Sequence, residues 1–105
     1  MAAVNAGDIL AASEATRFEC VIAPLRAADG LVLVKYQQFF ESPSLKFLSV
    51  TSSVWRRAAK IRASQGFGAM DALHLAAAVE FGCDLFLTND VRLDTCTEVP
   101  IEVIS

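Results

Sequence analysis

MDALHLAAAVEFGCDLFLTND, residues 70–90, is the stretch on which the fold turns. It reads as a buried helix, a tight turn and a buried strand, with a carboxylate at each end of the unit. Ala72–Val79 is rich in Ala and Leu and poor in β-branched residues, which favours helix over strand. Gly82, after Phe81, suits a left-handed helix cap. Asp84–Thr88 is then an apolar run of strand length. Asp71 sits in the first helical turn, where a negative charge suits the helix dipole. Asp90 lies just past the strand's carboxyl end, the edge at which open parallel sheets bind ligands. The two acids can therefore meet over one cleft.

Outward from this unit, the chain punctuates itself. Residues 1–8 are small and weakly patterned and read as a loop or a frayed end. Ile9–Ala12 is a strand candidate, and Ser13 is a good N-cap for a helix over 14–28. Pro24 inside that helix predicts a kink or a division. Asp29-Gly30 is either a cap and turn or a brief irregularity. Residues 31–40 read as a second helix, with a strand at Leu31–Val34 as the competing assignment. Glu41–Ser44 is a loop by composition and Leu45–Val50 a strand. Thr51 or Ser52 caps a helix through Gln65. Val54, Trp55, Ala58, Ala59 and Ile61 form its apolar side, and Arg56, Arg57, Lys60 and Arg62 make it the most basic element. Gly66-Phe67-Gly68 is a hinge-like loop. Residues 91–93 are a loop or turn, and Ile101–Ile104 alternate as an edge strand does. Strands alternating with helices predict an α/β layered domain with a largely parallel sheet.

At 105 residues, a single domain over residues 1–105 is expected. The composition is 54% hydrophobic, and no apolar run reaches the roughly 18 residues that span a bilayer. The surplus apolar surface points to a core plus a subunit or partner interface, with no membrane. Residues 1–8 lack a basic segment followed by an apolar one, so no signal peptide is read and a cytoplasmic location is expected. A net charge of −3 argues against a protein that coats nucleic acid through bulk charge. It leaves room for a nuclease whose acids hold metal while a few cations meet phosphates. Cys20, Cys83 and Cys96 are odd in number and contain no CxxC pair, so reduced, mostly buried thiols are expected.

Three acids stand out by position: Glu19, Asp71 and Asp90. Glu19 has the largely apolar neighbours Phe18, Cys20, Val21 and Ile22, where a carboxylate is costly unless it is paired or binds a cation. Two carboxylates about 4 Å apart repel by about 4 kcal/mol at an effective dielectric of 20. A cluster of acids therefore needs protons, basic partners or a divalent metal, and oxygen-only ligands suit Mg²⁺ or Mn²⁺ rather than zinc. Each acid also has a plainer use. Asp71 favours a helix start, Asp90 closes a turn, and Glu19 pairs with a basic group or with water. His74, three residues after Asp71, reads as a packed, hydrogen-bonded histidine. The basic helix is either a solvated face or a contact for RNA phosphates or an acidic partner.

The order of motifs resembles the PIN domain family, in particular the small toxin-type (VapC-like) ribonucleases of toxin–antitoxin pairs. The pieces are Ser13-x-x-Thr16-x-x-Glu19 with Pro24-Leu25-Arg26, then Ala58-Ala59-x-x-Arg62. Asp71-Ala72-Leu73-His74-Leu75-Ala76-x-Ala78 and Leu87-Thr88-Asn89-Asp90 complete the set. The resemblance implies an α/β/α sandwich around a parallel sheet, with acids at its carboxyl edge. It implies Mg²⁺- or Mn²⁺-dependent cleavage of RNA by a metal-bound water. Glu19, Asp71 and Asp90 take the places of metal-site acids, Thr88 and Asn89 shape the pocket, and Ser13 and Thr16 support it. Arg17 and Arg62 are the cations assigned to the substrate. A homodimer and a cognate antitoxin are the implied partners. One departure matters: the family opens with a central strand ending in an Asp, and this chain has about a dozen residues before Ser13. Asp8 precedes the first expected strand and lies at the wrong end to replace it. A truncated start, a second chain filling the gap, or a degenerate relative each accounts for this. The alternative function is therefore a catalytically inactive PIN-like module for binding or self-association.

Overall fold

A computed structural model describes residues 2–5, 9–43, 45–88 and 90–104; for 2–5, 9 and 10 it describes the backbone alone. The elements run β1 (Ala2–Asn5), β2 (Ile9–Ser13), α1 (Glu14–Arg26), α2 (Gly30–Phe40), β3 (Leu45–Leu48), α3 (Ser52–Gln65), α4 (Ala69–Glu80), β4 (Leu85–Thr88) and β5 (Ile101–Val103). A short 3-10 helix, Val91–Thr95, stands where a loop or turn is expected after β4. The five strands form one sheet in the order β3-β2-β1-β4-β5. β2 pairs with β3, and β4 with β5, in parallel. This is the α/β fold with a mostly parallel sheet that the sequence predicts.

The exception is β1. Residues 2–5, expected as a loop, form a strand in the middle of the sheet, antiparallel to β2 and β4. Ala3 faces Ala11 on one side and Phe86 on the other. Nothing local in Ala-Ala-Val-Asn specifies a strand; pairing with β2, next in the chain, and with distant β4 does. The gap expected at the sheet's centre is therefore spanned, though in reversed direction. The carboxyl end of β1 lies at the opposite edge from those of β2 and β4, and its four residues include no acid.

Helix boundaries follow local chemistry. Asp29 accepts the Val32 N–H at 3.2 Å and starts α2, so the strand alternative for 31–34 falls. Thr51 accepts the Val54 N–H at 3.2 Å and starts α3, which Gly66 ends at φ 76°. Pro24 sits in the last turn of α1 and does not divide it, because only one backbone bond is forfeited there. Two helices end in the same doubly bonded left-handed motif. In α4, Cys83 N–H reaches Ala78 O at 2.9 Å and Gly82 takes φ 69°. In α1, Asp29 N–H reaches Pro24 O at 2.9 Å, and the left-handed residue is Ala28 at φ 51°.

The core lies between the α3–α4 pair and the sheet. Leu48, Val54, Ile61, Leu75, Phe86 and Leu93 are its largest fully buried apolar side chains. On α3 the apolar side is narrower than the sequence suggests: Val54, Ala58 and Ile61 are buried, while Trp55 and Ala59 are exposed. All three cysteines are free; Cys83 is buried, Cys20 and Cys96 half-buried. Burial pushes the Cys20 and Cys83 thiols up. No helix among the described residues is long and apolar enough to cross a membrane.

Candidate functional site at the carboxyl edge

Ser13 ends β2 and occupies the N-cap position of α1, but its hydroxyl does not cap the helix. It lies 2.8 Å from His74 Nδ1, and the Thr16 hydroxyl lies 3.4 Å from the same nitrogen. The other ring nitrogen, Nε2, contacts the Glu19 carboxylate directly. A carboxylate can only accept, so Nε2 carries the hydrogen; Nδ1 then accepts from the hydroxyls. Residues 13, 16 and 19 are three apart, which places them on one helix face. The Ser-x-x-Thr-x-x-Glu spacing thus has a physical reason: all three side chains converge on one imidazole. His74 is 3% exposed. It is the packed, hydrogen-bonded histidine expected, and it holds Glu19 to α4.

Asp71, one turn before His74, is half-buried in the first turn of α4. A Cβ on the preceding Gly68 would lie 3.7 Å from its Oδ2, so the loop passes close to this carboxylate. Asp90 starts the 3-10 helix after β4. Its backbone N–H donates to the buried Thr88 hydroxyl at 3.0 Å. Its carboxylate accepts the Arg92 N–H at 3.0 Å. Arg92 also donates through its side chain, from Nε at 2.9 and 3.1 Å and from Nη2 at 2.5 Å. These bonds from Arg92 hold the Asp90 carboxyl down at about 2. Arg92 also feels the Asp71 charge, the weakest of the influences on it. Asn89 and Asp8 lie outside the described residues.

The structure therefore brings Ser13, Thr16, Glu19 and His74 into one network, and Thr88, Asp90 and Arg92 into another. Asp71 lies on the helix between them. Arg17 and Arg62, both exposed, belong to neither network. Arg17 stacks over Phe47 at 4.3 Å and Phe40 at 5.6 Å, and pairs with Glu14 at 3.8 Å. Arg62 donates to Phe67 O at 2.9 Å, tying α3 to the loop before α4. Sequence reasoning missed Arg92, whose signal was its place two residues after Asp90, within reach of an exposed 3-10 turn.

The fold is an α/β domain whose candidate acids lie on two helices, α1 and α4, and in the turn after β4. The sequence profile of the PIN domain matches residues 1–98, and the chain belongs to that family. PIN domains are generally metal-dependent nucleases. No curated protein and no solved structure matches the chain.

The donors suit the divalent ion that the family implies. They are carboxylates, the ligands of Mg²⁺ and Mn²⁺, and Asp90 is already paired with a cation, Arg92. Arg92 is 77% exposed, so it can leave Asp90 without breaking into the core. The ligands are not preassembled: among the described residues, no group of three or more His, Cys, Asp or Glu is placed to hold a metal ion.

Proposed function

We propose that this chain is a Mg²⁺- or Mn²⁺-dependent ribonuclease of the toxin type, with Glu19, Asp71 and Asp90 as the acids that hold the ion. The observation that carries this reading is the placement of the acids: His74 holds Glu19 to α4 one turn after Asp71, and Asp90 starts the turn that follows β4. When bound, the ion supplies a more acidic water and positive charge for the phosphoryl transition state. The chain's own residues prepare the edge for it. Ser13 and Thr16 fix the ring of His74, and His74 fixes the Glu19 carboxylate. Thr88 fixes the backbone of Asp90. Arg92 neutralises Asp90 until a stronger cation competes, and its released guanidinium then suits a phosphate. A homodimer, a cognate antitoxin and a cytoplasmic location belong to the same reading. The exposed apolar side chains of α1 and α2 support a partner surface.

A second reading has its own observation. Asp90 is satisfied by Arg92, and β1 contributes no acid to the edge, which suits a PIN-like module that binds without cleaving. Cleavage of mixed structured RNAs, with Mn²⁺ and with EDTA, separates the two. Metal-dependent cleavage lost in Asp90→Ala supports the ribonuclease. A folded chain that cleaves nothing, with a melting temperature indifferent to Mn²⁺, supports the module.

A further inference from the structure

Away from the carboxyl edge, α3 and the end of α4 enclose a notch of about 140 Å³ lined by Ser53, Arg56, Arg57, Lys60 and Glu80. Three cations face one acid, in a chain whose net charge is −3. Arg57 is already committed: it pairs with Glu80 at 2.7 Å and Glu98 at 3.5 Å, which fixes the wall of the notch. Among the described residues, Arg56 is held by the Ser53 hydroxyl alone, at 3.4 Å. Among the described residues, no carboxylate pairs with Arg56 or Lys60. Two cations therefore remain exposed and unneutralised beside a hydroxyl, on a rigid helix surface.

We infer that this notch is an anion subsite that takes a backbone phosphate of an RNA strand. The inference rests on the ribonuclease reading for its choice of polyanion. The lining offers guanidinium, ammonium and hydroxyl donors and no aromatic ring, so it suits a phosphate rather than a base. Its position also fits. Glu80 lies nine residues beyond Asp71 on α4, about 13 Å along the helix axis. A strand whose phosphate sits in the notch can thus present a phosphodiester a few nucleotides away to the edge that carries Asp71. The subsite anchors the strand and contributes no reacting group.

Binding of a short fluorescent oligouridylate by the full chain, followed by anisotropy in EDTA over a salt series, tests this without cleavage. Arg56→Gln with Lys60→Gln leaves Arg57 and its bridges in place. It should weaken binding about tenfold at low salt and flatten the log–log salt slope by about 0.7, as expected for one phosphate contact on a single strand. Arg26→Gln with Lys46→Gln removes the same charge from other exposed positions and should change neither by as much. Equal losses in the two pairs, or an unchanged notch variant, would overturn the subsite and leave the edge acids untouched. Absence of oligouridylate binding by the unmodified chain overturns it too, and Mn²⁺-dependent cleavage then judges the ribonuclease reading by itself. Displacement of the oligouridylate by an oligoglutamate of equal charge would reassign the notch to an acidic peptide.

Discussion

The two helical pairs, α1–α2 and α3–α4, are both rich in apolar residues and are used in opposite ways. In α4 every residue from Ala72 to Ala78 is buried. In α1 only Ala15 and Pro24 are buried, and in α2 only Phe40. Phe18, Leu25, Leu31, Val34 and Phe39 are all about half exposed or more. Apolar content alone therefore does not say whether a helix serves the core or the surface. The caps repeat the contrast. The same left-handed motif ends α4 on Gly82, which adopts it freely, and ends α1 on Ala28, which adopts it at a cost. One pair supplies the stability of the domain; the other presents apolar surface outward.

Several substitutions can break or sharpen this contrast. Leu75→Ala should destabilise the domain by about 2–5 kcal/mol in denaturant unfolding, because Leu75 is fully enclosed. Leu31→Ala, at a residue 68% exposed, should stay within about 0.5 kcal/mol in the same assay. A large loss at Leu31 would mean that α2 is covered in solution. His74→Ala should cost about 1–3 kcal/mol, since it strands the buried Ser13 hydroxyl that α1 brings to α4. Ala28→Gly should raise stability by about 1 kcal/mol, and Gly82→Ala should lower it by a similar amount. Opposite signs at the two caps would confirm that they share one conformational cost.

The smallest effect concerns pH. Asp90 should stay ionised down to about 2, below its ordinary 3.8, in a carboxylate-resolved NMR titration. Its folded value is depressed, so the stabilisation from Arg92 is fully present above the unfolded value and lost as pH falls through about 2. Arg92→Gln should move the midpoint back towards the ordinary value. A midpoint unmoved by Arg92→Gln would remove Arg92 as the cause.

Much of the fold was legible because its signals are local. The helix from Ala69 to Glu80, its stop at Gly82 and the strand after it follow from Ala and Leu content, a left-handed glycine and a short apolar run. Helix α2 was legible through Asp29, whose side chain does what its position promised. β1 was not, because only its two neighbours make it a strand. At the site, the packed role of His74 was readable from an imidazole on an apolar helix. The loss of Ser13 as a capping side chain was not, because its competing partner lies 61 residues away. The stacking of Arg17 on the rings of Phe40 and Phe47 was hidden for the same reason.

The sequence by itself determined an α/β domain of the PIN family, the order of its parallel elements, and which acids stand at helix starts and strand ends. Local periodicity, capping residues and motif spacing suffice for these. Only the tertiary structure decided that His74, 55 residues away, answers Glu19. It also decided that α1 and α2 turn their apolar residues outward. Those outcomes depend on which side chains meet across the chain, and a contact between distant residues has no local pattern to announce it.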